Sequence, residues 1–361
     1  MSQAAVITAY NEPLEVRDIA PPKLEKGGMI CRVDAATLCA TDVKIWHGAI
    51  DYGPILPYIP GHETASIVEE IDGERSDILG EPLKPGDRVI VAYRFCGHCF
   101  HCTIGQQPNL CPNATRYGRV RADVHPYLLG GCAQQHYFPE GADVIRIPDE
   151  VSSALAASAA CAFRTVMHGF ERLGGIGSSE DVLIQGSGPL GLFATAVARD
   201  RGARRVFTIG APAARLKVAK DMGADEICNI EEFNRQQRKE WLLDMTSGRG
   251  PDVVVQCVGA EAVGEGLDLV RRGGRFLSIG AGSGDQTIPG AIFTNKNLTL
   301  VGVLSGMAHH FYQALDFLAT RKNTFPFDNF ITGTYRLDQT TEALEAMAAY
   351  KEVKPVIYPN A

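Results

Sequence analysis

From residue 181 onward, short apolar runs alternate with amphipathic stretches. Runs at 182–185, 205–209, 253–256, 275–279 and 298–303 are dense in Val, Ile, Leu and Phe. Continuous apolar runs of this length read as strands buried on both faces. Between the first two, Leu190, Phe193, Ala194, Val197 and Ala198 fall at i, i+3, i+4, i+7 and i+8, one face of a helix. The alternation predicts an α/β region with a parallel sheet covered on both sides. Residues 1–149 have a different texture, dense in Pro and Gly, with β-rich runs at 29–33, 66–70 and 88–92. That part reads as irregular β. After Met307 a helical stretch at 311–319 and the closing Lys354-Pro-Val-Ile-Tyr are expected to rejoin the N-terminal part. No internal repeat interrupts this pattern.

With 361 residues the chain is too long for a single core, so two domains are expected. A composition of 45% hydrophobic and 21% charged residues excludes disordered and fibrous classes. The charge balance, 35 Lys plus Arg against 42 Asp plus Glu with no basic run, argues against a nucleic-acid partner. The longest small-apolar stretch, 152–163, falls short of the ~20 residues a bilayer requires, so no membrane span is predicted. The N-terminus lacks the charged and apolar regions of a signal peptide, and a cytoplasmic location is expected. Ten cysteines in that setting are reduced thiols whose use is metal binding, catalysis or packing.

Two motifs change the picture. The first is Gly186-Ser-Gly188-Pro189-Leu190-Gly191, directly after the first apolar run of the α/β region. Placed between strand and helix, its glycines allow a tight turn, close approach to a pyrophosphate and close helix–strand packing, against the plainer reading of a packing turn. An acid usually follows at the end of the next strand to hold the adenosine ribose, but here stands Gly210, with Arg215 the nearest cation downstream. Cofactor choice leans to NAD, with NADP as the alternative. The second motif is Cys96-Gly-His-Cys99-Phe-His-Cys102 with Cys111 nine residues on. Four thiolates on a short loop fit the closed tetrahedral shell of a structural zinc. An iron–sulfur cluster and a disulfide pair are the weaker readings. His98 and His101 are expected to be exposed loop residues.

Three further elements are unremarkable singly: Cys39-Ala-Thr41-Asp42, Gly61-His62-Glu63 and Cys161-Ala-Phe-Arg-Thr165. Together with the two motifs, Leu83-Lys-Pro-Gly-Asp-Arg-Val and a basic residue near the C-terminus, they make the chain resemble, almost end to end, the zinc-dependent alcohol dehydrogenases of the medium-chain dehydrogenase/reductase superfamily. The resemblance implies a GroES-like β-rich catalytic domain, 1–162 with 307–361, and a Rossmann doubly wound domain, 163–306. It implies a catalytic zinc on Cys39, His62 and Cys161, hence two zinc ions per chain. It further implies Thr41 as proton relay, Asp42 as the carboxylate orienting His62, and Glu63 as an acid behind the metal. Thr165, Cys257 and Val258 would face the nicotinamide side of the cofactor, and Lys354 its pyrophosphate. Two thiolates and an imidazole leave zinc a usable Lewis acid toward an alcohol oxygen.

The expected activity is hydride transfer between a small-molecule alcohol and NAD(P), giving an aldehyde or ketone. Retention of Cys39, Thr41, His62 and Cys161 disfavours a zinc-independent reductase of the same fold and a noncatalytic zinc- and dinucleotide-binding relative. Departures from the family pattern are Ser66 where a glycine is common, and Lys44 and His47 where a relay histidine often stands. Trp46, His47, Tyr52, Tyr58, Leu128 and Met307 are candidate substrate-pocket residues, suggesting an uncharged secondary alcohol. Homodimers or homotetramers are expected by pairing of the apolar edge at 298–303.

Overall fold

Each apolar run of the α/β region folds as a strand. In this computed structural model, which describes residues 1–49, 56–280 and 285–361, six parallel strands stand in the order Glu226–Asn229, Arg205–Gly210, Asp181–Gln185, Val253–Gln256, Arg275–Ser278 and Thr299–Gly302. Numbered along the chain this is 3-2-1-4-5-6, the doubly wound order in which ligands bind beyond the carboxyl ends of the central strands. Asp181–Gln185, Val253–Gln256 and most of Arg205–Gly210 are fully buried, as continuous apolar runs require. The strand Glu226–Asn229, third along the chain, has no counterpart among the predicted runs. It opens on an exposed glutamate and carries only two apolar residues, Ile227 and Cys228, so it forms no apolar block.

The irregular β part is a second sheet. Its path runs Ile331–Arg336, Lys354–Tyr358, Met29–Thr37, Glu63–Ile71, Arg88–Val91 and Val144–Arg146, with Gln135–Phe138 also paired to Met29–Thr37. In its centre, register sets Thr37 opposite Glu63 on one side and opposite Val356 on the other. The helix Ser153–Ser158, capped by the Ser152 hydroxyl on the Leu155 N–H, packs on the two central strands.

Contacts divide the chain into two units: Met1–Arg164 with Gly306–Thr320 and Phe330–Ala361, and Thr165–Ser305 with Arg321–Asn329. The segment Arg321–Asn329 thus clusters with the Rossmann-type unit rather than with the rest of the C-terminal block. Hydrogen bonds from Arg321 to Asp200 (2.6 Å) and from Asn329 to Asp221 (3.5 Å) hold it there. Among the described residues, no helix is long and apolar enough to cross a membrane.

Candidate functional site

Strand register brings the first two candidate ligands together. Cys39 follows the strand Met29–Thr37 by two residues and His62 immediately precedes Glu63–Ile71, so antiparallel pairing of Thr37 with Glu63 delivers both to one end of the sheet. Cys39 is also the N-cap of the helix Ala40–Trp46, and its sulfur accepts the Thr41 N–H at 3.3 Å. Cys161 arrives from a π-helical turn, Ala159–Phe163, continuing Ser153–Ser158. Such turns are frequent at functional sites, where the widened turn re-aims a side chain. Ligand atoms of Cys39, His62, Glu63 and Cys161 all lie within 4.8 Å of one another.

Asp42 is the brace of this cluster. Its Oδ2 accepts the Cys39 N–H at 2.9 Å, and its Oδ1 accepts the Gly61 N–H and faces His62 Nδ1, each at 3.2 Å. With Nδ1 turned to Asp42, His62 Nε2 is left buried with no hydrogen-bond partner. Burial disfavours the Asp42 charge, but His62 and the two backbone donors outweigh it and hold the carboxyl below its usual range. Burial likewise opposes a charged His62, yet the Asp42 charge, with Tyr93 and Cys161, outweighs it and the ring's pKa stands well above its ordinary value. The two thiols are linked. A hydrogen bond from Cys39 draws Cys161 well below the usual thiol value against the effect of burial, and the same bond, added to burial, pushes Cys39 up to about 12. A buried imidazole nitrogen without a partner, beside two sulfurs that already tend to share a negative charge, is the donor set a thiophilic cation completes.

Glu63 stands behind the cluster. Its Oε2 accepts the Thr37 hydroxyl at 2.5 Å and pairs with Lys354 Nζ, while its buried Oε1 has no hydrogen-bond partner. Burial pushes its carboxyl up to about 7, with Lys354 pulling against it. Lys354, expected on a cofactor pyrophosphate, is placed otherwise. It opens the strand Lys354–Tyr358, two residues before Val356 pairs with Thr37, and is buried against Glu63. The structure thus engages the ammonium with Glu63, a partner the sequence reading did not foresee.

The four-cysteine lobe converges too. Cys96–Cys111 and Cys99–Cys102 sulfurs are 3.5 Å apart and Cys96–Cys102 4.0 Å. A tetrahedral Zn–S shell at about 2.3 Å places sulfurs about 3.8 Å apart, so these four fit one ion. Cys111 is fully buried, and His98 is exposed, turned to the Cys96 carbonyl.

In the other unit, Gly186 ends the strand Asp181–Gln185 at φ +113° and Pro189 opens the helix Pro189–Asp200. A Cβ on Gly191 would fall 1.8 Å from the Gly186 carbonyl oxygen, whereas one on Gly188 would meet nothing within 4 Å. Thus Gly191 is glycine for helix–strand contact and Gly188 leaves open space in front of the turn, with Leu190 partly buried behind it. Cys257 and Val258, just past Val253–Gln256, lie against Gly186. The missing acid has a steric reason, since a Cβ on Gly210 would stand 2.6 Å from Ser187 Oγ. Arg215, in the first turn of Ala213–Asp221, is buried, as is Thr165.

The expected substrate pocket is not assembled by these aromatic and apolar residues. Tyr58 and Leu128 are fully buried in the hydrophobic core, Trp46 is nearly so with its indole N–H on the Glu12 carbonyl, and His47 is exposed and bound to Asn11. Large apolar side chains on loops were taken up by packing. Met307 is half-buried, and Tyr52 lies outside the described residues. One residue of this region carried no expectation: Arg164, a charge inside an otherwise apolar helical run, buried beside Cys161.

Known proteins are similar to this chain over nearly its whole length. Residues 25–149 match the family model for the alcohol dehydrogenase GroES-like domain, and residues 189–320 that for the zinc-binding dehydrogenases. Over 363 residues, covering 99% of this chain and 98% of its relative, the chain is 31% identical to a 5-exo-hydroxycamphor dehydrogenase of Pseudomonas putida. A solved alcohol dehydrogenase from Thermotoga maritima is similar at TM-score 0.93 and 31% identity, with 99% of both chains covered. A Sinorhizobium meliloti protein bound to NADP, assigned as a zinc-binding dehydrogenase, is similar at TM-score 0.86 and 25% identity over 99% of both chains.

Proposed function

The chain belongs to the zinc-dependent alcohol dehydrogenases of the medium-chain dehydrogenase/reductase superfamily, and from that premise we propose that Cys39, His62 and Cys161 hold its catalytic zinc, Cys96, Cys99, Cys102 and Cys111 a structural one, and the loop 186–191 its nicotinamide dinucleotide. It is an alcohol oxidoreductase, with zinc and a nicotinamide cofactor as its working groups. The observation that carries the residue assignment is the partnerless Nε2 of His62, buried among Cys39, Cys161 and Glu63 with its other nitrogen braced by Asp42.

When bound, zinc supplies Lewis acidity toward the alcohol oxygen and the nicotinamide accepts the hydride. The chain's own residues supply the rest. Asp42 fixes the His62 tautomer so that Nε2 presents a lone pair. Thr41, whose N–H is spent on the first ligand's sulfur, keeps a hydroxyl that both accepts and donates and so can pass the alcohol proton outward. Glu63 keeps a second carboxylate oxygen near the ligand atoms, its charge offset by Lys354. The backbone N–H groups opening Pro189–Asp200 and the space before Gly188 suit a pyrophosphate. Metal analysis of the purified chain is expected to give two zinc ions per chain. One ion per chain at full alcohol oxidation would overturn the three-ligand assignment.

NAD is the favoured cofactor, because Arg215 is buried and no cation lies between Gly210 and it to meet a 2′-phosphate. Installing the customary acid is expected to fail. Gly210→Asp drives a Cβ into Ser187, so kcat/KM should fall about tenfold or more with NAD and NADP alike, the cost of overpacking a tight turn. A selective gain with NAD would show the turn to be soft. The substrate is proposed to be an uncharged secondary alcohol, a reading supported by the similarity to a 5-exo-hydroxycamphor dehydrogenase. Work in the cytoplasm suits a chain whose thiols must stay reduced.

A homo-oligomer, dimer or tetramer, is proposed through the edge strand Thr299–Gly302, where Leu300 is 49% exposed. Leu300→Lys should move the chain toward monomer in light scattering at unchanged helix content. An unchanged mass would place the interface elsewhere.

A further inference from the structure

Two strands of the parallel sheet, Asp181–Gln185 and Val253–Gln256, each end on a buried glutamine, and their register sets Gln185 beside Gln256. In the order 3-2-1-4-5-6 these are strands 1 and 4, the point at which strand order reverses. A dinucleotide laid across that point puts one nucleotide over strands 1 to 3 and the other over strands 4 to 6. The adenosine ribose belongs at the end of strand 2, where Gly210 stands, so the nicotinamide nucleotide falls to the ends of strands 4 and 5. Gln256 is fully buried there, and its amide is saturated. Nε2 donates to the Val258 carbonyl at 2.8 Å and to the Gly259 carbonyl at 2.6 Å, while Oε1 accepts the Gly280 N–H at 3.2 Å and the Ser278 hydroxyl at 3.3 Å. Two donors and a carbonyl with two lone pairs are all that a glutamine amide has. Gln185 differs, with one bond from Nε2 to the Ala262 carbonyl at 3.3 Å and no hydrogen-bond partner for Oε1.

We infer that Gln256 is a positioning residue for the nicotinamide half of the cofactor: its amide ties the turn 257–259 after strand 4 to the end of strand 5, and so fixes the floor on which that half rests without touching it. The inference rests on the reading of loop 186–191 as the dinucleotide site. The sheet ladder cannot make this tie alone, because Gln256 and Ser278 are the last paired residues of their two strands. Beyond them the Ile279 and Gly280 N–H groups still reach the Gln256 carbonyl, at 2.9 and 3.0 Å, but only the side chain holds the turn's own carbonyls. Close approach leaves that turn a single seat. A Cβ on Gly280 would stand 1.8 Å from the Val258 carbonyl oxygen, and one on Gly186 would stand 2.5 Å from Val258 Cγ1. Val258 is thus packed against the end of strand 5 and against the first glycine of the dinucleotide loop. Removing the amide strands two carbonyl oxygens and the Gly280 N–H side of the tie together, and the turn shifts to satisfy them elsewhere.

Binding of NADH and of ADP-ribose to the zinc-loaded full chain tests this, because ADP-ribose carries the adenosine and the pyrophosphate but no nicotinamide. Gln256→Met keeps the length of the side chain and removes all four bonds, and Gln256→Asn draws the amide back by one methylene. Both are expected to weaken NADH binding about tenfold and to leave ADP-ribose binding within about twofold. At saturating NAD and alcohol, kcat should fall about tenfold or more, since hydride transfer depends on close placement of the ring. An NADH affinity unmoved in both variants overturns the inference. An equal loss for NADH and ADP-ribose also overturns it, by making Gln256 a brace of the whole crevice. If Gln256→Met does not fold, Gln256→Asn carries the comparison, and failure of both to fold overturns the inference too, since the residue would then serve folding and not placement. The loop reading is tested apart by Gly191→Ala, whose Cβ meets the Gly186 carbonyl oxygen and which should weaken both probes alike. If it leaves both unmoved, or if the unaltered chain binds neither probe, the loop reading itself fails, and this inference with it.

Discussion

Cys161→Ala is expected to abolish alcohol oxidation while leaving the chain folded, whereas Cys111→Ala is expected to lower the melting temperature first and activity only in consequence. Cys161 sits half-buried in a π-turn whose backbone hydrogen bonds do not involve its side chain. Alanine is a good helix former, so the turn survives and one of three candidate ligands is lost. Lewis-acid assistance is worth several kcal/mol of barrier, so kcat should fall on the order of 10³-fold or more at saturating alcohol and NAD. Metal analysis should find the lobe ion retained. Cys111 is different. It is fully buried and closes the lobe from nine residues beyond Cys102, with its sulfur 3.5 Å from that of Cys96 and accepting the Cys96 N–H. Structural zinc contributes folding free energy outright, so its loss unravels the lobe. Equal residual turnover in the two variants would contradict this division of labour.

Lys354→Met should cost about 3–5 kcal/mol of stability, the loss typical when one partner of a buried ion pair is removed and the other is left uncompensated. Lys354 and Glu63 are both almost wholly buried, and Glu63 already carries a carboxyl pushed up to about 7 by its surroundings even with the ammonium in place. Urea denaturation of the single variant and of Lys354→Met/Glu63→Gln separates the two contributions. The double variant should recover most of the loss, because a neutral amide facing Thr37 leaves no stranded charge. If Lys354→Met were as stable as the parent, and its cofactor affinity fell instead, the lysine would be a phosphate ligand after all.

What could be read from the sequence depended on how local the chemistry is. The lobe cysteines and the glycine loop each lie within a stretch of sixteen residues or fewer, so spacing alone implies convergence. The strand runs 182–185, 205–209 and 253–256 were legible because strands buried on both faces are written as unbroken apolar blocks. Glu226–Asn229, with an exposed Glu226 and only Ile227 and Cys228 apolar, carries no such block. Cys39, His62 and Cys161 are spread over more than a hundred residues, and only resemblance joined them. Register then supplied the physical reason, Thr37 opposite Glu63. The pairing of Lys354 with Glu63 was not legible, because a lone lysine near a C-terminus is ordinarily solvated and this one's burial is set by pairing two strands away. The aromatic residues proposed for a pocket went to the core for the same reason, since sequence records apolar character but not which cavity or core it fills.

Asp42 divides its two oxygens between the loop that carries Cys39 and the loop that carries Gly61 and His62. Both loops are thereby cinched before any ion arrives, and the entropy of bringing them together is settled during folding of the polypeptide. An incoming ion meets a socket already cut to shape, so chelator-stripped enzyme should regain its metal without passing through an unfolded form.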